Sequence, residues 1–302
     1  MSDGRFIWAL GAMSGTSLDG VDAALLLTDG ITIKAFGQTG YRPYTEDERH
    51  VLKSGFGATE GPKVAAAAEV VEIAHTELLQ DFPEAEVIGF HGQTLTHAPE
   101  RQVTVQAGNG RVLAEALSRR VVWDFRTADV ILGGQGAPLA PFYHFALARH
   151  IGAKRPLGFV NIGGVANLTW VDPAIAAPEL PGACLAFDTG PGNALIDDLC
   201  QARLGRAMDR DGALTRAGAV HEDVLEALLE QGRYFSKVPP KSLDRNDFSE
   251  WSPAVSHLSD ADAVATLAAG TAAAIVKGLD HCSRPVERLL ITGGGRRNPG
   301  LM

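Results

Sequence analysis

The sequence holds few cysteines, no long hydrophobic run and no excess of positive charge, and each lack removes a class of protein. Its 3 cysteines in 302 residues, Cys184, Cys200 and Cys282, lie far apart with no paired spacing. Such a set fits free thiols in a reducing compartment, and neither a disulfide framework nor a zinc site. With 36 acidic against 27 basic residues the formal net charge is −9, which leaves no basic stripe to neutralise a nucleic-acid backbone. Binding of a single nucleotide stays open, since it needs only local donors and a metal. The opening Met-Ser-Asp-Gly-Arg has no basic n-region leading to a cleavage site, so no signal peptide is expected. The longest apolar stretch, 264–279, is Ala-rich and interrupted by Gly270, Thr271 and Lys277; it reads as a buried helix, too short and too weakly hydrophobic for a membrane span. A cytoplasmic protein is expected. The composition, 45% hydrophobic and 21% charged, is that of an ordinary globular chain, and its length exceeds what one core usually fills, so two domains are expected.

What is present starts with a glycine turn, Gly11-Ala-Met-Ser-Gly-Thr-Ser-Leu-Asp-Gly-Val-Asp22, between two apolar runs. Two strand-like runs joined by such a turn predict a β-hairpin. Gly15 lets backbone amides approach an anion, and Ser14, Thr16 and Ser17 add hydroxyls. Asp19 and Asp22 are suited to a hydrated Mg²⁺. The same residues also serve an ordinary tight turn, and local chemistry does not separate the two readings.

Further along, 31–38 reads as a third strand, and Thr45 with Glu48 forms a capping box for a short helix ending at Ser54. A longer helix spans 62–80, with Pro62 in its first turn. The strand 87–90 ends on His91, Gln93, Thr94 and His97, a pocket candidate because ligands gather at strand carboxyl ends; solvated or satisfied histidines are the plainer alternative. Asp124, Arg126 and Asp129 follow the strand beginning at Val121, and Arg126 either grips a carboxylate or phosphate or pairs with a neighbouring aspartate. The Gly/Pro-dense segment 131–141 suits a domain crossing, placing the boundary between 1–132 and 133–302. The second half repeats the first: strand 157–161, the Gly163-Gly164 turn, a returning strand 165–171, then 184–187 ending on Asp188. The amides of 189–193 then stand as candidate anion donors at a helix N-terminus, and capping is the alternative role for Asp188. A stretch 239–248 is a substrate-side loop or a solvated connection. A final strand, 287–291, runs into Gly293-Gly294-Gly295, a loop that lets a ring or phosphate lie on the backbone or simply fits helix to sheet.

These stretches, in this order, resemble those of the anhydro-N-acetylmuramic acid kinase family. The matching motifs are 13–22, Gly-Phe-His-Gly-Gln-Thr (89–94), Asp-Phe-Arg-Thr-Ala-Asp (124–129), Gly-Gly-Gln-Gly-Ala-Pro-Leu (133–139), Asn-Ile-Gly-Gly-Val-Ala-Asn-Leu-Thr (161–169), Phe-Asp-Thr-Gly-Pro-Gly-Asn (187–193) and Gly-Gly-Gly-Arg-Arg-Asn-Pro (293–299). The resemblance implies an α/β chain of two RNase-H-like domains, as in actin-like ATPases, flanking a nucleotide cleft. It implies ATP-dependent phosphorylation of 1,6-anhydro-N-acetylmuramic acid with hydrolytic opening of the anhydro ring, in cell-wall sugar recycling, with ATP and Mg²⁺ as cofactors. The first phosphate loop would be Gly15, Thr16, Ser17, Leu18, Asp19, Gly20, Val21 and Asp22, with Asp19 near the metal through water. Asn161, Gly163 and Gly164 would form the second phosphate turn, and Gly293, Gly294, Gly295 and Asn298 the loop near adenosine. Asp188 would be the general base, and His91, Gln93 and Arg126 the sugar contacts. The resemblance further implies a helical segment beyond Met302, so the expectation is either an incomplete chain or one that has lost that segment. Alternative readings are a kinase for another small sugar, or a nucleotide-binding protein without turnover. The partner expectations are a small amino sugar, no nucleic acid, no membrane, and a homodimer.

Overall fold

A strand–turn–strand opening organises each half of the chain. β1 (Ile7–Ser14), β2 (Gly20–Thr28) and β3 (Ile33–Pro43) form an antiparallel meander. Alternate residues of β1 and β2, among them Leu10, Ala12, Val21, Ala23 and Leu25, are buried, as the period-2 pattern of a half-buried sheet requires. α1 (Glu46–Ser54) starts with the expected capping box: Thr45 Oγ1 accepts from the Glu48 amide and the Glu48 carboxylate from the Thr45 amide, worth about 1 kcal/mol. α2 (Pro62–Leu79) lays Ala67, Val71, Ala74 and Leu78 on the sheet. β4 (Val87–Ala98) pairs parallel with β1 through its first half and antiparallel with β5 (Val103–Ala107) through its second. α3 (Gly110–Leu117), capped by Asn109, leads to β6 (Arg120–Trp123), parallel to β4, and α4 (Thr127–Ile131) follows.

The second half begins with α5 (Ala140–His150) and then repeats the plan. β7 (Leu157–Ile162), β8 (Val165–Val171) and β9 (Cys184–Pro191) form an antiparallel meander, and β10 (Arg288–Thr292) joins β7 in parallel. The strand orders are β3-β2-β1-β4 with β6 beyond, and β9-β8-β7-β10. Between β9 and β10 lie α6 (Ala194–Leu204), α7 (Ala213–Ala217), α8 (Glu222–Gln231), α9 (Trp251–Ala254) and α10 (Asp260–Leu279). Among the described residues α10 alone is long and apolar enough to cross a membrane, yet 61% of its apolar window is buried within the fold. Ala263, Val264, Leu267, Ala268 and Ala274 join Trp251, Phe235 and Leu228 in a core cluster.

The structure describes residues 4–231, 233–243 and 246–302, and the chain divides into two units, 1–139 and 140–302. The seam lies seven residues beyond the 132/133 boundary expected from composition. The reason is local. The Asp129 carboxylate accepts from the Gly136 amide at 2.6 Å, and Arg126 Nη1 donates to the Gly136 carbonyl at 2.8 Å. The Gly/Pro segment is thereby folded back onto the first unit. Three strands run several residues past expectation: β3 reaches Pro43, β4 reaches Ala98, and β9 continues to Pro191. Each extension is made by pairing with a strand distant in sequence or across a turn, which local composition does not encode.

Candidate active site

In the first unit the parallel strands β1, β4 and β6 end on one edge of the sheet, where ligands of open α/β sheets bind. The turn after β1 is fixed by Leu18. Its φ of 58° is left-handed, a conformation costing about 1–2 kcal/mol for a non-glycine residue, and its side chain is buried in the core, which offsets that cost. The Leu18 amide closes the turn on the Gly15 carbonyl at 3.1 Å. With Leu18 as a foot, Thr16 and Ser17 stay exposed, and their amides and hydroxyls have no protein partner among the described residues. Gly20 and Val21 face inward: Val21 is fully buried, and a Cβ at Gly20 would lie 2.3 Å from the Arg42 carbonyl oxygen. Of the eight predicted loop residues, Gly15, Thr16, Ser17, Asp19 and Asp22 are therefore the ones left unburied.

Asp19 and Asp22 both carry exposed carboxylates. The Asp19 backbone is held through its carbonyl, which accepts from the Tyr41 hydroxyl at 2.9 Å and the Tyr44 amide at 3.0 Å. Crowding of the Asp22 carboxyl by protein on its sheet side raises its pKa, and the Asp19 carboxylate adds to the rise. Two carboxylates so placed suit a hydrated Mg²⁺, which one or two carboxylates and several waters commonly hold.

Behind the turn, Ser14 Oγ donates to Gln93 Oε1, and the Tyr44 hydroxyl donates to Ser14 Oγ at 3.0 Å. Gln93 Nε2 donates to the Thr94 carbonyl. Gln93 is completely buried, so the side chain expected to touch sugar instead cross-links β1 to β4. His91 and Arg126 form the half-buried counterpart. Arg126 Nε and Nη2 lie 3.0 and 2.9 Å from His91 Nε2, while His91 Nδ1 lies 2.9 Å from the Gly92 carbonyl. A guanidinium only donates, so the network assigns His91 the neutral Nδ1–H tautomer. Burial lowers the His91 pKa and the Arg126 charge lowers it further. Neither Asp124 nor Asp129 pairs with Arg126. Among the described residues no carboxylate lies within ion-pairing distance of it, and a cavity of about 180 Å³ lined by His91, Gln106, Trp123, Asp124 and Thr127 opens beside the pair.

The second unit gathers three predicted segments at the carboxyl ends of β7, β9 and β10. The Asn193 amide donates to the Gly163 carbonyl at 2.7 Å, and the Gly192 and Ala194 amides to the Gly164 carbonyl at 2.9 and 3.2 Å. The start of α6 is thus spent on tying down the second turn, and of the 189–193 amides expected as anion donors those of Gly192 and Asn193 are taken. Gly293, with φ 80°, crosses over the same turn: a Cβ there would lie 2.5 Å from the Ile162 carbonyl oxygen and 2.6 Å from Asn161 Oδ1. Gly164 and Gly294 remain exposed. Asn298 is buried and fully engaged, accepting from the Gly300 and Leu301 amides and donating to Thr215 Oγ1 at 3.0 Å, so it fastens the glycine loop to 209–215.

Asp188 lies inside β9, three residues short of its end, opposite Asn167. One carboxylate oxygen, Oδ2, accepts from the Leu243 amide at 2.8 Å; the other has no protein partner among the described residues. The Tyr234 hydroxyl donates to the Asp188 carbonyl at 2.7 Å, and the Asp188 amide to the Lys241 carbonyl at 3.2 Å. Burial raises the Asp188 pKa and the Leu243 amide partly opposes the rise. Burial, with the Asp188 charge second, also raises the Tyr234 pKa, keeping that hydroxyl a donor. The segment 234–243 is thus a clamp on Asp188. Its composition, rich in turn residues and charge, carries no signal of that role. Asp244 and Arg245, also in the stretch 239–248, lie outside the described residues.

Two α/β units of one strand plan, each with a glycine turn at the carboxyl edge of its sheet, make this a duplicated α/β fold. The family model for anhydro-N-acetylmuramic acid kinase matches residues 7–302. A protein of that name from Cereibacter sphaeroides is 61% identical over 303 residues, covering 100% of this chain and 81% of its own length. One from a Ruegeria species is 59% identical over 294 residues, covering 97% of this chain and 78% of its own. Among solved structures, an activator of 2-hydroxyisocaproyl-CoA dehydratase from Clostridium difficile with bound ADPNP aligns over 98% of this chain and 83% of that one, at 13% identity and a TM-score of 0.42. The chain belongs to the anhydro-N-acetylmuramic acid kinase family.

Proposed function

We propose that the protein transfers the γ-phosphoryl group of ATP to the 6-oxygen of 1,6-anhydro-N-acetylmuramic acid while water opens the anhydro ring, giving N-acetylmuramic acid 6-phosphate. Family membership supports the kinase reaction, and the observation that carries the hydrolytic half is the Asp188 carboxylate. Its Oδ2 is oriented by the Leu243 amide and its other oxygen is left to accept a proton. Burial biases it toward taking one, which suits a general base. In this reading Asp188 removes a proton from water as the water attacks the anomeric carbon. The bridging 6-oxygen leaves that carbon and accepts the phosphoryl group.

The remaining roles divide by unit. In the first, the free amides and hydroxyls of Thr16 and Ser17 would meet phosphate oxygens, and Arg126, without a carboxylate of its own, would hold the lactyl carboxylate beside neutral His91. In the second, Asn161, Gly163 and Gly164 would meet phosphate, and Gly293–Gly295 would present backbone to the adenosine. Asp19, through water, with Asp22 beside it, would hold Mg²⁺, which when bound offsets polyphosphate charge. A reaction that consumes ATP belongs in the cytoplasm, where ATP is made, and the net charge of −9 supports a small-molecule partner over nucleic acid. The test is formation of the 6-phosphate from Mg-ATP and the anhydro sugar, run beside Asp188→Asn. Loss of turnover with ATP binding retained is expected; unchanged turnover would remove the base assignment.

A further inference from the structure

Lys241 is a buried cation without a carboxylate. Its side chain is 6% exposed, and no acidic residue ion-pairs with it among the described residues. The ammonium instead donates to the Tyr234 carbonyl at 3.2 Å and the Phe235 carbonyl at 3.5 Å, lies 3.1 Å from His281 Nε2, and sits over the rings of Tyr234 and Phe187 at 4.7 and 5.4 Å. An ammonium taken from water is costly unless its donors are met, and a lysine here must therefore be matched by what it holds. What it holds is both ends of one loop. Its side chain binds the carbonyls at 234 and 235, while its own carbonyl accepts from the Asp188 amide and its second neighbour, Leu243, donates to the Asp188 carboxylate. From the far end, Tyr234 reaches the Asp188 carbonyl.

We infer that Lys241 is a positioning residue for the base: its ammonium closes the 234–243 loop so that the Leu243 amide and Tyr234 hydroxyl fix the Asp188 carboxylate in register with its target. This rests on the assignment of Asp188 as the base. The role is one of geometry. Without the ammonium, the 234 carbonyl loses that donor and the 235 carbonyl keeps only His281 Nε2 at 3.1 Å, the loop opens, and the Leu243 amide leaves the carboxylate. Lys241 touches neither substrate in this account, so it acts on kcat and leaves nucleotide affinity alone.

The experiment compares the protein with Lys241→Met, Tyr234→Phe and Asp188→Asn, reading kcat, ATP affinity by calorimetry, and hydrogen exchange at the Leu243 amide. Lys241→Met is expected to lower kcat by about 10- to 100-fold, the range for displacing a positioned group, with ATP affinity within twofold and faster exchange at Leu243. Tyr234→Phe, which keeps the 234 carbonyl, is expected to give a smaller loss in the same direction and covers the case of a Lys241→Met protein that does not fold. Unchanged kcat and unchanged Leu243 exchange in Tyr234→Phe and in folded Lys241→Met would overturn the inference. So would a kcat loss accompanied by equal loss of ATP affinity, which marks a general structural defect. Full turnover in Asp188→Asn would instead overturn the base assignment, a result separate from either.

Discussion

Arg126 donates to Nε2 of His91 from both Nε and Nη2, at 3.0 and 2.9 Å, so a guanidinium is paired with a neutral imidazole where a carboxylate would be the usual partner. The pair keeps a net positive charge at the carboxyl edge of the first sheet, fixed in direction by the Gly136 carbonyl on Nη1. Arg126→Met is expected to raise KM for the acidic sugar by about 10- to 100-fold, the loss of one charge-assisted contact of about 1.5–3 kcal/mol, with KM for ATP unchanged. Arg126→Lys is expected to recover little of it, because an ammonium does not reproduce the planar fork. Steady-state kinetics with each substrate varied checks both; an ATP-side effect would move Arg126 to the nucleotide.

Asp129 sets up that arginine at one remove. Its carboxylate holds the Gly136 amide, and a Cβ at Gly134 would lie 2.2 Å from the same carboxylate oxygen, so the loop closes over Asp129 only with glycine there. Asp129→Ala is expected to raise sugar KM several-fold, and Asp129→Asn, which keeps an acceptor oxygen, to stay near the parent. Gly134→Ala is expected to match Asp129→Ala. Sugar binding by calorimetry across the three variants checks the order.

His75 makes the first unit acid-sensitive. It is fully buried, Nδ1 lies 2.7 Å from the Val71 carbonyl, Nε2 has no hydrogen-bond partner among the described residues, and the ring packs edge-on to Phe90. Burial holds its pKa down to about 4, against 6.5. The unfolded chain therefore takes up a proton first as pH falls, and stability is lost between about pH 6.5 and 4, by up to about 3 kcal/mol from this group. His75→Leu is expected to flatten that part of the profile. Urea midpoints at pH 7 and pH 5 for the two proteins check it, with equal pH dependence as the contrary result.

Asp188 has the opposite sign. With its folded pKa raised by burial, the folded state binds the proton more readily than the unfolded one. The cost of holding the charge is absent below the unfolded value and grows as pH rises through the folded value. Asp188→Asn is therefore expected to melt at the same or higher temperature than the parent at pH 8, with the difference vanishing toward pH 3. The acid limb of kcat/KM in the parent is expected above the ordinary carboxylate range. Melting curves and a pH–rate profile check the two halves.

Much of this architecture is legible from local pattern. The two meanders, the Thr45–Glu48 capping box, the Asn109 cap and the repeat between halves all follow from neighbours a few residues apart, where periodicity and turn chemistry act. The proposed site is drawn in part from the same kind of signal: Thr16, Ser17, Asp19 and Asp188 stand on motifs. What escapes is set by contacts far apart in sequence. Gln93 reads as a pocket residue until Ser14, 79 positions away, claims its amide. Within the 189–193 stretch that reads as a set of anion donors, the Gly192 and Asn193 amides are taken by the carbonyls of Gly164 and Gly163. Lys241 stands in a stretch that reads as a substrate-side loop or a solvated connection, and only the fold brings the carbonyls, the imidazole and the aromatic rings that bury it.

The central claim is that this chain couples phosphoryl transfer to attack of water at the anomeric carbon, with Asp188 taking the proton. The most direct measurement is one short incubation with Mg-ATP and 1,6-anhydro-N-acetylmuramic acid in ¹⁸O-water, quenched before the product hemiacetal exchanges with solvent. The account predicts N-acetylmuramic acid 6-phosphate with the label at the anomeric carbon and none in the phosphate. A phosphorylated sugar with an unlabelled anomeric oxygen, or label released into inorganic phosphate without sugar product, would contradict it.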